Sequence, residues 1–341
     1  MRALRFAGPF IFALSIPFLY YALGPAAPFL TVLALLAALI GAELLSRRGD
    51  GVRGEPAGIF RLLPNLYVPL QLGIIVWAIL IVGQTGGAGF AALALSIGVT
   101  TGVFGVLAAH EQVHGHSKFE RLLGLTMLSG MSYRHFRIAH IHGHHRFAAT
   151  ERDPATARLG ESFYAFVLRT VKDQFADAWV FERRRVARHG GTVFDNRVAR
   201  DVAAMAIIYF TTVLVAGVRG AVFFAMASAL AILVLELFNY IAHYGLLRRP
   251  RAQGYEPCTA AHSWNSSNIL ANTLIFNMGR HSSHHARPAA SFQELTWTAQ
   301  APELPLGYAG SILLALVPPL WRRVMDPAVQ NLQTRPGNAR A

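Results

Sequence analysis

The chain has 341 residues, of which 53% are hydrophobic and 14% charged, with a formal net charge of +13. At a mean hydropathy of +0.37, this balance excludes an ordinary soluble domain and indicates a chain dissolved largely in lipid. A single cysteine, Cys258, excludes an internal disulfide, a cysteine-based zinc site and a built-in iron–sulfur module, so any metal must rest on histidine and carboxylate.

Six stretches are apolar and long enough to cross a bilayer, which takes about 20 helical residues. They lie at 7–23, 26–46, 66–84, 88–110, 201–218 and 220–243. The first follows Arg2 and Arg5 as a signal peptide would. A second apolar run comes almost at once across Gly24-Pro25, however, which predicts a two-span hairpin instead. The expected fold is an all-α integral membrane protein with six transmembrane helices under a cytoplasmic, histidine-rich helical cap.

Arginine sets the orientation. The links at 24–28 and 84–87 carry no Lys or Arg, and the link at 217–220 carries only Arg219. The opposite side receives Arg47, Arg48, Arg53, Arg61 and the Arg183-Arg184-Arg185 run, which places both termini and both large loops in the cytoplasm. The basic excess is thereby accounted for. No basic helix or aromatic platform accompanies it, and no nucleic-acid partner is expected.

Segment 111–200 is too long for a structureless link and should hold helices under the membrane, one of them around Ser162 to Arg188. The run from Leu306 to Trp321 is short and contains Pro318-Pro319, which reads as an interfacial piece. A single membrane-embedded domain is expected over 1–325, with a disordered tail over 326–341.

All fourteen histidines fall between His110 and His285, most of them at ligand spacing. His110 and His114 form an i, i+4 pair at the end of the fourth span. His140, His144 and His145 follow, with His142 turned away from their helical face. His281, His284 and His285 form a third group, and His243 closes the sixth span. These nine candidate ligands are too many for one ion and suit two. Imidazole accepts Zn, Cu, Fe or Ni, so spacing does not choose the metal. His110-Glu111-Gln112-Val113-His114 also fits the zinc-protease pattern, with Glu111 as general base. A protease would leave most of the other histidines unexplained. Among the remaining histidines, His116 and His135 read as solvated, His142 as a supporting or surface residue, and His189 as loop.

These motifs resemble the integral-membrane alkane 1-monooxygenases of the fatty-acid desaturase/hydroxylase superfamily. The likeness is carried by His110-Glu111-x-x-His114 and by His140-x-x-Gly143-His144-His145 with Ala149-Thr150-Glu-x-Asp153-Pro154-Ala155. It continues through Glu236 with Asn239-Tyr240-x-x-His243-Tyr244-Gly245-Leu246, then His262-Ser263-Trp264-Asn265-Ser266, then Arg280-His281-Ser282-x-His284-His285-Ala286-x-Pro288.

The resemblance implies a non-haem di-iron site held by His110, His114, His140, His144, His145, His243, His281, His284 and His285, with Glu236 close by as a catalytic carboxylate. It implies dioxygen as co-substrate, a hydrophobic substrate drawn from the bilayer, most readily an n-alkane hydroxylated at its end, and a separate rubredoxin- or ferredoxin-type electron donor. It also implies a bacterial-type inner membrane, with the site on the cytoplasmic side. His262 is assigned either a supporting role or a structural hydrogen bond, while Trp264 and Asn265 would fold their loop over the site. Two positions that are commonly acidic in the family hold Ala139 and Ala242. They bring in the sister activities as alternatives: oxidation of an aromatic methyl group, or desaturation or hydroxylation of an acyl lipid. A histidine-lined metal transporter would need its ligands strung through the bilayer, whereas here they gather at span ends.

Overall fold

The computed structural model of the chain describes residues 3–49, 57–115 and 117–334. Arg2, Arg53, His116 and the end of the expected tail, 335–341, lie outside the described residues. Among the described residues every regular element is helical, with only isolated β-bridges.

Gly24-Pro25 separates α1 (Gly8–Leu23) from α2 (Phe29–Leu45). Next come α3 (Ala57–Ile81), which starts earlier than its apolar run, and α4 (Gly87–Thr100). A π-helical turn, Thr101–Gly105, then leads into α5 (Val106–Val113). Four helical stretches, Ala3–Leu23, Gly58–Gln84, Gly87–Val113 and Arg197–His243, are long and apolar enough to cross a membrane, and Phe29–Leu45 is a shorter apolar helix. Their outer faces expose Phe18, Leu30, Leu33 and Leu214, as an integral membrane protein requires.

The helix Arg197–His243, α8, has 47 residues and would be about 70 Å long if straight, over twice the hydrocarbon thickness. It is not straight. Gly217 breaks it at φ 67 and ψ −178, a conformation open to glycine. Next to the break, Arg219 donates to the carbonyls of Val82 and Thr85 at 3.0 and 2.7 Å. The Ser96 hydroxyl donates to the Pro28 carbonyl at 2.7 Å. The three arginine-poor links therefore gather at one end of the helices.

Two tight packings align the histidine-bearing span. Gly98 on α4 and Gly102 in the π turn let this span approach α8 so closely that a Cβ on either would meet Leu230, Ala231 or Val234. Gln71 accepts from the Tyr67 hydroxyl at 2.9 Å and donates to Thr101 at 2.8 Å, pinning α3 to the start of the π turn. The extra residue in a π turn shifts which face follows it, and here His110 follows it.

Beyond the spans, α6 (Lys118–Ser129) opens with a Ser117–Glu120 capping box. The expected helix near Ser162 to Arg188 is α7 (Phe163–Arg188), capped by Ser162. Glu182 on α7 accepts from Arg185 and Arg197, which ties α7 to the start of α8. A short helix α9 (His281–Ala286) carries the third histidine group, and α10 (Gly307–Ala315) and α11 (Pro318–Gln333) follow it. Pro318 and Pro319 open α11, where proline needs no amide partner. The tail expected from 326 is corrected: α11 stays helical to Gln333 because Trp321, Met325 and Val329 bury one stripe of it. Tyr244 also donates to Asp326 at 2.6 Å.

Candidate metal centre

The nine histidines converge from four places in the chain and divide into two sets. His110, His114, His140, His145 and His284 form one, and His144, His243, His281 and His285 the other. Within each set one ring nitrogen per residue lies within 4.8 Å of all the others. The first set is knit by close Nε2–Nε2 approaches: His140 to His114 at 3.2 Å, His145 to His140 at 2.9 Å and His284 to His145 at 3.1 Å. In the second, His144 faces His285 at 3.2 Å and His281 faces His243 and His285 at 3.0 and 3.1 Å.

The backbone explains how adjacent His144 and His145 reach different sets. Residues Ala139–His144 are π-helical rather than α-helical. Hydrogen bonding of i to i+5 widens the turn, so His145 swings back beside His140 while His144 points to the second set. The third group divides in the same way: His284 joins the first set, and His281 and His285, one turn apart on α9, join the second. Asn265 sets the start of α9 by accepting from both the amide and the hydroxyl of Ser282, at 3.0 and 3.1 Å. Trp264 donates to the Tyr244 carbonyl at 2.9 Å, tying the same loop to the end of α8.

This donor set fits metal ions. Asp153 Oδ2 accepts from His144 Nδ1 at 2.9 Å and from the Thr156 hydroxyl at 2.7 Å, and Asp153 Oδ1 accepts from the Ala155 amide at 3.1 Å. With its proton committed at Nδ1, His144 presents a lone pair at Nε2, aimed at the Nε2 of His285. Such a carboxylate behind a histidine is the usual support of a metal-bound imidazole. His110 is buried with neither ring nitrogen hydrogen-bonded, a costly state in the absence of a further partner. Burial, followed by neighbouring imidazoles, holds His140, His145, His281, His284 and His285 well below the usual imidazole range. Burial brings His114 to about 4, with His144 adding to the shift. All are therefore neutral at pH 7, the protonation state that binds metal. Burial alone would raise Asp153, but His144, together with His243 and the Thr156 hydroxyl, holds the carboxyl below its ordinary value.

The other sequence candidates sit apart from the two sets. Glu236 is fully buried and accepts from Tyr133 at 3.1 Å, Gln174 at 2.9 Å and Asn239 at 3.0 Å, with no hydrogen bond to a histidine among the described residues. Glu111 accepts from the Phe292 amide at 3.2 Å, which commits the would-be protease base to a loop contact. His262 takes a structural place, paired with Glu256 at 3.2 Å and accepting from the Thr259 amide at 3.0 Å. His142 stacks on Phe181 at 4.4 Å between ring centres, and His189 caps its helix through the Arg185 carbonyl. The solvated reading of His135 is corrected. Its ring lies against Tyr133 and Phe175, its Nε2 is buried without a partner, and burial lowers it to about 4. The motif containing Asp153 does not by itself assign that residue a role; the available signal was an acidic residue eight or nine positions after paired histidines.

An apolar cavity of about 570 Å³ runs from this centre into the membrane region. His110, His140 and His281 close its inner end, and Val32, Leu35, Leu36, Val99, Val103, Leu230, Leu233 and Val234 line its shaft. It therefore meets both histidine sets. From α2 come Val32, Leu35, Leu36, Leu39 and Glu43 of its wall.

Helices that cross a membrane, two buried histidine sets and an apolar shaft define a membrane metalloenzyme acting on a hydrophobic substrate. The family model for fatty acid desaturases matches residues 87–309. The chain is 38% identical to alkane 1-monooxygenase 2 of Pseudomonas aeruginosa, over 81% of this chain and 75% of that one. It is 37% identical to an alkane 1-monooxygenase of Pseudomonas putida, over 88% and 76%. The hydroxylase component of a xylene/toluene monooxygenase from Pseudomonas putida is 27% identical over 75% and 70%. The chain belongs to the fatty acid desaturase family, among its alkane 1-monooxygenases, and is an integral-membrane monooxygenase.

Proposed function

We propose that the chain inserts one oxygen atom of dioxygen into a terminal C–H bond of an n-alkane, with iron in both histidine sets. The balance is alkane, O2, two electrons and two protons to primary alcohol and water. The observation that carries this reading is one apolar shaft ending on His110, His140 and His281, so that a single substrate end meets both sets. Iron bound by His110, His114, His140, His145 and His284, and by His144, His243, His281 and His285, would supply the dioxygen activation and C–H oxidation that no side chain performs.

The chain's own residues do the rest. Aliphatic walls exclude water and hold the substrate end-on, and Asp153 keeps His144 in the tautomer that binds metal. Glu236 acts as a positioning residue, bracing Tyr133 and Gln174 of the cap against Asn239 of α8. Identities of 37–38% to alkane 1-monooxygenases, against 27% to the xylene/toluene hydroxylase component, support an n-alkane over an aromatic methyl substrate.

Both electrons come from a separate donor. A cleft of about 820 Å³ beside His142 and Gly143 is lined by Arg146, Arg152, Arg184 and Arg188. It offers an acidic redox protein a basic surface one residue from His144. The break at Gly217 and the gathering of arginine-poor links at one end support six crossings, with both termini and the centre on the cytoplasmic side.

Purified protein in vesicles, with reduced rubredoxin or ferredoxin, should yield 1-alkanols from medium-chain n-alkanes by gas chromatography. Oxidation of xylene or an acyl lipid, with no alkanol formed, would overturn the substrate assignment.

A further inference from the structure

Most of the cavity wall is buried, but four lining side chains also face outward: Leu233 on α8, Leu313 and Leu316 at the end of α10, and Tyr164 at the start of α7. A residue that both lines a cavity and faces the lipid marks a rim. These four come from three elements that meet, since Tyr164 donates to the Leu316 carbonyl at 2.8 Å and α10 packs on α8 through Phe238 and Tyr308, stacked at 4.7 Å.

The inner end of α10 is held unusually. Glu43, inside the cavity wall on α2, accepts from the amide of Tyr308 at 2.6 Å and from that of Ala309 at 3.1 Å. A carboxylate among hydrocarbon-facing side chains is costly and needs a purpose. Here it fills the place of an N-cap from another helix. Gly307 takes φ +59, and a Cβ there would overlap the Glu43 carboxylate. The tether leads to the centre: Tyr308 stacks on Phe238, whose ring meets His281 edge-on at 5.6 Å.

We infer that the cavity opens sideways into the bilayer through a port bounded by Leu233, Leu313, Leu316 and Tyr164, with α10 as its sill, clamped by Glu43 at one end and Tyr164 at the other. Hydrocarbon dissolved in the membrane enters there without crossing water. This rests on the hydrocarbon reading above, yet binding tests it without turnover.

The probe is a diazirine-bearing n-alkane dissolved in phosphatidylcholine vesicles holding the full chain, irradiated and mapped by peptide mass. Wild type should label the buried inner wall at Val106 and Leu107, as well as the outer face at Leu214. Leu233→Trp and Leu313→Trp should each cut inner-wall labelling about tenfold, the scale on which one overpacked ring acts, and leave Leu214 labelled as before. Glu43→Leu should free α10, seen as faster amide exchange at Tyr308 and Ala309, and Glu43→Gln, which keeps an acceptor oxygen, should partly restore protection. Inner-wall labelling at the wild-type level in both tryptophan variants, or none in wild type, would overturn the port. Failure to form alkanol while labelling behaves as described would count against the reaction and leave the port standing.

Discussion

Asp153→Asn isolates one histidine set with almost no change of volume. In the native site Oδ2 takes two donors, His144 Nδ1–H and the Thr156 hydroxyl, and Oδ1 takes the Ala155 amide. An asparagine has one acceptor oxygen for these opposed tasks. With its NH2 toward His144, two donors collide and the imidazole is driven toward the wrong tautomer. With its NH2 toward Ala155, two amides face each other in a site only 3% exposed. Loss of such a supporting partner typically lowers metal affinity roughly 10- to 100-fold, about 1.4 to 2.7 kcal/mol at 1.36 kcal/mol per tenfold. The loss should fall on the set of His144, His243, His281 and His285 alone, because Asp153 has no hydrogen bond to the other set. Chelator titration of iron-loaded protein, read by Mössbauer spectroscopy, should show one iron leaving early and the other at the wild-type chelator concentration. Two irons departing together, or both at the wild-type concentration, would refute the division into sets.

Asn265→Ala removes the acceptor for both the amide and the hydroxyl of Ser282; about 1–3 kcal/mol of stability should be lost, with iron content falling in parallel, as thermal inactivation and metal analysis would report. Val99→Phe fills the shaft about 16 Å from His110, at a helical rise of about 1.5 Å per residue, and should move product formation toward shorter alkanes on a mixed-chain panel. His135 has a folded pKa of about 4 against 6.5 unfolded. The unfolded chain thus binds the extra proton first, and stability falls as the pH drops from about 6.5 to 4, by roughly 3 kcal/mol in all. His135→Phe should shrink that acid loss in detergent-based thermal inactivation at pH 7.5 and 5, whereas unchanged loss would mean the ring is not buried neutral.

Much of the centre was readable in advance because ligand spacing is local. His110 and His114 share a helix face whatever else the chain does, and three such groups in one sequence leave few alternatives. The division into two sets was not readable. It depends on the π-helical winding of Ala139–His144, and i, i+4 logic applied to an α-helix puts His144 and His145 on the wrong sides. Helix ends hidden by composition were also missed. Pro318-Pro319 reads as a break but starts a helix, and the stripe of Trp321, Met325 and Val329 extends that helix through residues expected to be tail. Glu236 shows the limit of motif reasoning: its position was plain, but its partners Tyr133 and Gln174 come from segments 103 and 62 residues away, and no local pattern announces them. Gly98 and Gly102 carried a spacing that, in a span, signals close helix contact, and that signal was there to be used.

The central claim is that two ions in these nine histidines oxygenate a hydrocarbon. Its most direct test is turnover of a medium-chain n-alkane under ¹⁸O2 by protein of measured metal content. The account predicts iron bound by both histidine sets and a primary alcohol carrying ¹⁸O. Zinc in place of iron, a single ion per chain, or alcohol oxygen drawn from water would contradict it.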